Sequence, residues 1–354
     1  MKPRILAAGL LVAGLAAGVA GAAEVTSPDT GHVQNPVWAP DGSWLAYEVN
    51  NMSNSVELFI TEMKGTAAGS PQALRIPGAS SSFGGGGGYL AASPTWATKP
   101  NLMVIFEGSS PGGTMRLYYA TPGAGAPNEL ITSTQVSGNL AAPAMSSNGE
   151  RFAFVTDSAG NGDVFVWELA SSDMVNVFTS NFAEHNPAWN DDATKLAFSR
   201  KNNGTEDLFT WEGGTKLKPL AGGNGDQTRP VWAGEQVVYF TSERGEGHWD
   251  IAVADGSGRK VIARDVRLPA RSNPALSPDK QWVAYGSSEP DKSSAIYMTR
   301  IDGSKTVSIS TSHVAVGEPS LVQSGGRTLL AYTGLPNKGS DWRRLHVEDV
   351  TGQY

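Results

Sequence analysis

The chain has 354 residues, among them 42 glycines, 21 prolines and ten tryptophans, and no cysteine. A disulfide framework and a thiolate metal site are therefore excluded, so stability has to come from an apolar core, which a hydrophobic content of 40% can supply. A formal charge of −7 argues against nucleic acid and anionic lipid as main partners, because both reward clustered Lys and Arg.

The chain opens with Met1-Lys2-Pro3-Arg4, an uncharged stretch from Ile5, and small residues around Ala20-Gly21-Ala22. A short positive region, an apolar core and an A-x-A-like site predict a signal peptide over residues 1–22, cleaved after Ala22. No later segment approaches the roughly twenty apolar residues of a membrane span. The mature chain is expected to be periplasmic or secreted. Losing Lys2 and Arg4 takes its formal charge to −9.

From Asn35 onward one phrase recurs seven times: a proline, a bulky residue two places on, a tight turn and an apolar strand. It reads NPVWAPDGSWLAYEV at Asn35, SPTWATKPNLMVIFEG at Ser93, APAMSSNGERFAFVTD at Ala142, NPAWNDDATKLAFSR at Asn186, RPVWAGEQVVYFTS at Arg229, NPALSPDKQWVAYGS at Asn273 and EPSLVQSGGRTLLAYTG at Glu318. The marker prolines, Pro36, Pro94, Pro143, Pro187, Pro230, Pro274 and Pro319, lie 58, 49, 44, 43, 44 and 45 residues apart. A unit of that size cannot bury its own apolar face and must stack on its neighbours. Periods in the forties with several short strands predict four-stranded propeller blades.

Within a unit, the segment after the proline is a short inner strand, where a missing ladder donor is tolerated. Turn residues such as Pro40-Asp41-Gly42 follow, then a nearly continuous apolar second strand such as Leu45-Ala46-Tyr47 or Val237-Val238-Tyr239-Phe240. Third strands start at Asp163, Asp207 and Asp250, and a weaker fourth, such as Val175-Asn176-Val177-Phe178, closes the unit. Helical periodicity is absent from the mature chain, which predicts an all-β protein.

After Pro319 only 35 residues remain, enough for three strands. The segment Ala23 to Asn35, with Glu24-Val25-Thr26, matches the fourth strand and linker of other units. The expectation is a single domain over 23–354, a seven-bladed β-propeller closed by the N-terminal strand completing the C-terminal blade, which hides aggregation-prone edges. A Gly-rich insertion at 79–92 carries Gly84 to Gly88 between Phe83 and Tyr89. No helix follows to make a phosphate cradle, so it reads as a surface loop.

The phrases NPVWAPDG, NPAWNDDATKLAF and NPALSPDKQWVAYGS, followed by strands like DVFVWE, resemble the repeats of the TolB-like β-propeller family over essentially the whole mature chain. That resemblance implies the fold, and it covers exported scaffold proteins, propeller domains attached to serine peptidases, and some polysaccharide lyases. The family's namesake has an additional N-terminal α/β domain, for which Ala23 to Asn35 leaves no room, and six blades. No hydrolase domain is expected beyond the repeats, which argues against a peptidase. A non-enzymatic module binding a periplasmic or envelope protein is the leading expectation, with an uronate-type polysaccharide lyase and a metal- or small-ligand-binding propeller as alternatives.

Propellers bind at the channel mouth, where the loops before the inner strands converge. Ahead of the marker prolines stand three asparagines that read as turn residues, whereas Arg229 and Glu318 break the pattern and are candidates. His32, Glu184, His185 and His313 also fall near these loops. Convergent histidines with Glu184 or Glu318 could hold a divalent metal, although their unequal offsets from the prolines and the lack of a compact ligand pair argue for solvated loop residues and no cofactor. Arg264, Arg267 and Arg271 form a local charge group near Arg229, suited to the carboxylates of an acidic polysaccharide or to pairing with Asp226 and Asp265. A lyase would add a base such as His185. Trp38, Trp96, Trp189 and Trp232 share one structural position and read as wedges between blades.

Overall fold

The computed structural model describes residues 22–25, 31–51, 55–77, 90–109, 113–178, 180–202 and 204–354. The glycine run, Phe83, Tyr89, Thr26 and nearly all of the expected signal peptide lie outside the described residues. Among the described residues the structure is all-β, its one helical element being a single 3₁₀ turn at Pro290–Lys292. No helix among them is long and apolar enough to cross a membrane.

The strands form antiparallel meanders that follow the repeat. Four-stranded sheets hold Leu140–Met145 to Asp173–Asn176, Glu184–Trp189 to Lys218–Ala221, Gln227–Ala233 to Arg259–Val266, and Ala275–Leu276 to Thr306–Ser310, each in sequence order. A nine-stranded sheet contains the first two units, which meet through one parallel residue pair, Val56 with Leu90. The last sheet runs Val314–Ser324, Arg327–Leu335, Arg344–Asp349 and then Ala23–Val25. In that sheet Ala23, Glu24 and Val25 face Val347, His346 and Leu345.

Packing is between sheets. The second strand of each unit is buried on both faces, as in Trp44–Asn50 and Trp282–Gly286, which explains why these strands read as continuous apolar runs. Each pair of consecutive units shares an apolar cluster; Phe152 and Phe154, for example, pack with Ala97 and Ile105, and Val238 and Phe240 with Val283 and Tyr285. One further cluster joins the two ends of the chain: Val25, Val33, Trp38 and Tyr47 pack with Val322, Leu329 and Ala331. The repeated tryptophans sit at the unit borders. Trp96, Trp189 and Trp232 donate from Nε1 to the carbonyls of Val37, Ala144 and Ala188 on the preceding unit at 3.0, 3.2 and 3.0 Å.

The junction rests heavily on Val25, which is fully buried. Val25→Ala should lower stability in urea unfolding by about 2 kcal/mol. An unchanged midpoint would show that Ala23–Val25 is not docked on Arg344–Asp349 in solution.

Candidate functional site

Every marker phrase carries the same backbone irregularity except one. In six units the register of the inner strand slips at the residue before the proline, as between Gln34 and Val37 or between His185 and Ala188. The residue before the proline, Asn35, Ser93, Ala142, Asn186, Arg229 or Glu318, has φ between +50° and +55°. Left-handed backbone is tolerated by asparagine but costs other residues roughly 1–2 kcal/mol. A β-bulge of this kind turns the residue's amide out of its own ladder, toward the preceding unit.

Buried carboxylates receive three of these amides. Ser93 donates to Glu48 Oε1 at 2.8 Å, Ala142 to Glu107 Oε1 at 2.6 Å, and Asn35 to Glu318 Oε2 at 3.1 Å. Glu48 and Glu107 occupy the same register position on the second strands of the first two units, facing Gln34 and Ala92 across the bulge. Glu48 also accepts from the side chains of Gln34 at 2.8 Å and Asn35 at 2.7 Å. Burial raises the pKa of both glutamates, while Arg271 and the hydrogen bonds pull in the opposite direction.

The sixth unit departs from the rest. Its inner strand is only Ala275–Leu276, and the preceding residues 267–273 form a crossing segment that runs against the last, first and second units instead. Gly286 stands where Glu48 stands in the first unit, and a Cβ there would lie 2.3 Å from the Val316 carbonyl. Its own carbonyl accepts from Arg267 N at 2.7 Å, anchoring the start of the crossing. Arg229 donates to the carbonyls of Pro269, Ala270 and Ser272 at 2.7, 3.1 and 3.2 Å. Glu318 accepts from Ala270 N at 3.0 Å, and Ser272 donates to Asn35 Oδ1 at 2.6 Å. Arg271 then reaches Glu48 Oε2 at 3.4 Å and Glu107 Oε2 at 4.0 Å.

The crossing segment forms part of the wall of a cavity of about 850 Å³ to which all seven marker phrases contribute residues. Its charged wall residues are Glu107, Glu206, Asp226, Arg229 and Arg271, with His185 and Trp249 beside them. The structure thus brings His185, Arg229 and Arg271 to one cavity. Glu318 is not on its wall: it is 6% exposed and accepts from Asn35, Ala270 and Thr333. Sequence reasoning missed Glu48 and Glu107, whose signal was a carboxylate inside the apolar runs Leu45 to Val49 and Val104 to Gly108.

Residues 125–325 match the family model described as the TolB beta propeller domain. The chain belongs to the TolB beta propeller domain family. Among solved structures, this TolB-type propeller is similar to TolB from Acinetobacter baumannii, with 14% identity and a TM-score of 0.53 over 89% of this chain. It spans 65% of the length of that TolB chain. It is also similar to an oligogalacturonate lyase from Vibrio parahaemolyticus, with 10% identity, a TM-score of 0.64 and 94% of both chains covered. An oligogalacturonate lyase in complex with manganese gives 12% identity, a TM-score of 0.65 and 95% of both chains. Likeness at these identities is one of fold. No curated protein matches the sequence.

Among the described residues of this TolB-type propeller, no three His, Asp or Glu side chains gather in a group that could hold a metal ion. His32 accepts from Arg343 N at 3.2 Å and packs edge-on against Trp342, while His313 stacks on His346 at 3.5 Å and contacts the Tyr332 hydroxyl at 3.1 Å. Their different offsets from the prolines place them in the last sheet and its border, away from His185. Burial lowers the pKa of both rings, and that of His346 falls to about 3. Arg264 is exposed, and Asp265 pairs with Arg244 at 2.7 Å rather than with the neighbouring arginine group.

Glu184 is fully buried at the border of the third and fourth units, where it accepts from Val164 N at 3.3 Å and from Ser180 Oγ at 2.9 Å. Burial, with a contribution from Asp163, raises its pKa to about 7, against the hydrogen bonds and Arg200. Between its unfolded value of 4.5 and about 7 the native state binds the extra proton, so stability falls as pH rises through that window. Glu184→Gln should flatten this slope and leave the variant about 1–3 kcal/mol more stable than the parent at pH 8, read from urea unfolding across pH. A variant that tracks the parent at every pH would remove Glu184 from the titration.

Proposed function

We propose that this chain is an exported, seven-bladed propeller, a single domain over residues 23–354 closed by its N-terminal strand, that binds a periplasmic or envelope protein without catalysis. Residues 1–22 act as its cleaved signal peptide, and the insertion expected at 79–92 ends inside the strand Leu90–Ala97, whose Ala91 and Ala92 are buried. The ring is supported by the pairing of Ala23–Val25 with Arg344–Asp349 and by the apolar cluster shared between first and last units. His185, Arg229 and Arg271 mark the binding mouth, and Glu318 holds the segment behind it through Ala270 N, whereas Glu184, His32 and His313 serve packing elsewhere.

One observation carries the non-enzymatic reading: both arginines on the cavity wall are engaged internally. Arg229 donates to three main-chain carbonyls, and Arg271 sits between two buried carboxylates. An enzyme acting on uronates needs cations directed at the sugar carboxylate. The cavity wall also carries Glu107, Glu206 and Asp226, which would repel such a substrate.

The lyase reading draws on His185 sharing the cavity with two arginines and on the fold shared with oligogalacturonate lyases. Two assays separate the readings. Purified protein should capture a defined partner from periplasmic extract, and Ala144→Arg, which fills the channel, should cut capture at least tenfold. It should release no unsaturated product from polygalacturonate. Release of that product, abolished by His185→Ala, would establish the lyase instead.

A further inference from the structure

The pair Glu48 and Glu107 is built differently from the other interior carboxylates. The two residues occupy equivalent places on adjacent units, 0% and 7% exposed, and each spends one oxygen on the amide of the following unit. The second oxygen of each faces the same guanidinium. That cation does not come from a neighbouring unit. Arg271 arrives on the crossing segment before the sixth unit.

Arg271 fills the place loosely. Its contacts of 3.4 and 4.0 Å exceed the roughly 2.7–2.9 Å of a well-formed bond between a guanidinium and a carboxylate. A third of its side chain is exposed, so the place is reachable from the cavity. The backbone of the crossing segment is held independently, by Arg229 on three carbonyls, by Glu318 on Ala270 N and by Ser272 on Asn35. The Arg271 side chain can therefore leave without dislodging the segment.

Resting on the binding-module reading, we propose that Glu48 and Glu107 form a guanidinium site, filled in the free chain by Arg271 and in the complex by an arginine of the partner polypeptide. Charge favours this occupant. Glu206 and Asp226 add negative charge to the cavity wall, and the chain as a whole is acidic. A planar fork suits two carboxylates better than an ammonium does. The partner's arginine enters from the cavity while Arg271 swings outward into it, so the buried carboxylates keep a cation throughout.

Calorimetric titration of the blocked tripeptide acetyl-Gly-Arg-Gly-amide, its Lys counterpart and agmatine into the parent and Arg271→Ala tests the proposal. Arg271→Ala should bind the Arg peptide at least tenfold more tightly than the parent does, and the Lys peptide more weakly than the Arg peptide. Glu107→Gln added to Arg271→Ala should return affinity to the parental level, with thermal melts confirming that each variant folds. Should Arg271→Ala not fold, Arg271→Met keeps the stem and is read in the same way. No gain on removing Arg271, or a gain that survives Glu107→Gln, would overturn the guanidinium site. Binding of agmatine without the peptide would overturn the polypeptide occupant. Failure here with capture of the partner intact leaves the binding module standing, whereas product release from polygalacturonate removes the module itself.

Discussion

The left-handed residue in front of six of the seven marker prolines is the constraint from which the rest of the cavity follows. Proline ordinarily drives its predecessor into an extended conformation. In six units that residue instead has φ near +50°, at a slip in strand register. The bulge leaves an amide that the inner strand's own ladder does not use. A buried amide needs an acceptor, and Glu318, Glu48 and Glu107 supply it to Asn35, Ser93 and Ala142. Those carboxylates then need positive charge, which Arg271 brings to two of them and Ala270 N, as a dipole, to the third. The crossing segment is thus the far end of a chain of demands that begins at a proline.

How much of this was legible in the sequence depends on distance along the chain. The period of the phrases is a local property repeated seven times, so the all-β class, the strand order within a unit and the wedge role of Trp96, Trp189 and Trp232 could be read directly. The bulges could not. Asn35 and Asn186 hint at a left-handed backbone, but Ser93, Ala142, Arg229 and Glu318 do not favour it by themselves, and tertiary packing holds them there. Glu48 and Glu107 went unread although each is a carboxylate in an apolar strand, because the partner that explains them, Arg271, lies more than 160 residues away in sequence. Arg229 and Glu318 were conspicuous as departures from a repeated asparagine; the structure gives both a role in holding the crossing segment.

A shared propeller cannot decide function, since the family covers binding proteins and enzymes alike. What separates them is whether charged groups at the channel are directed outward to a ligand or inward to the protein. In this chain the inward direction prevails: Arg229 braces main-chain carbonyls, Glu318 accepts three donors, and Arg271 offsets two buried acids. The acidic wall of Glu206 and Asp226 is left to set the character of what enters.

Amide hydrogen exchange of Ser93 and Ala142, followed by NMR, tests the causal chain most directly. Carboxylate-held amides at these bulges should exchange only on the timescale of global unfolding, and Glu107→Gln should accelerate Ala142 while leaving Ser93 slow. Exchange of both amides as fast as exposed loop positions such as Gly123 would contradict the central role given to the buried carboxylates.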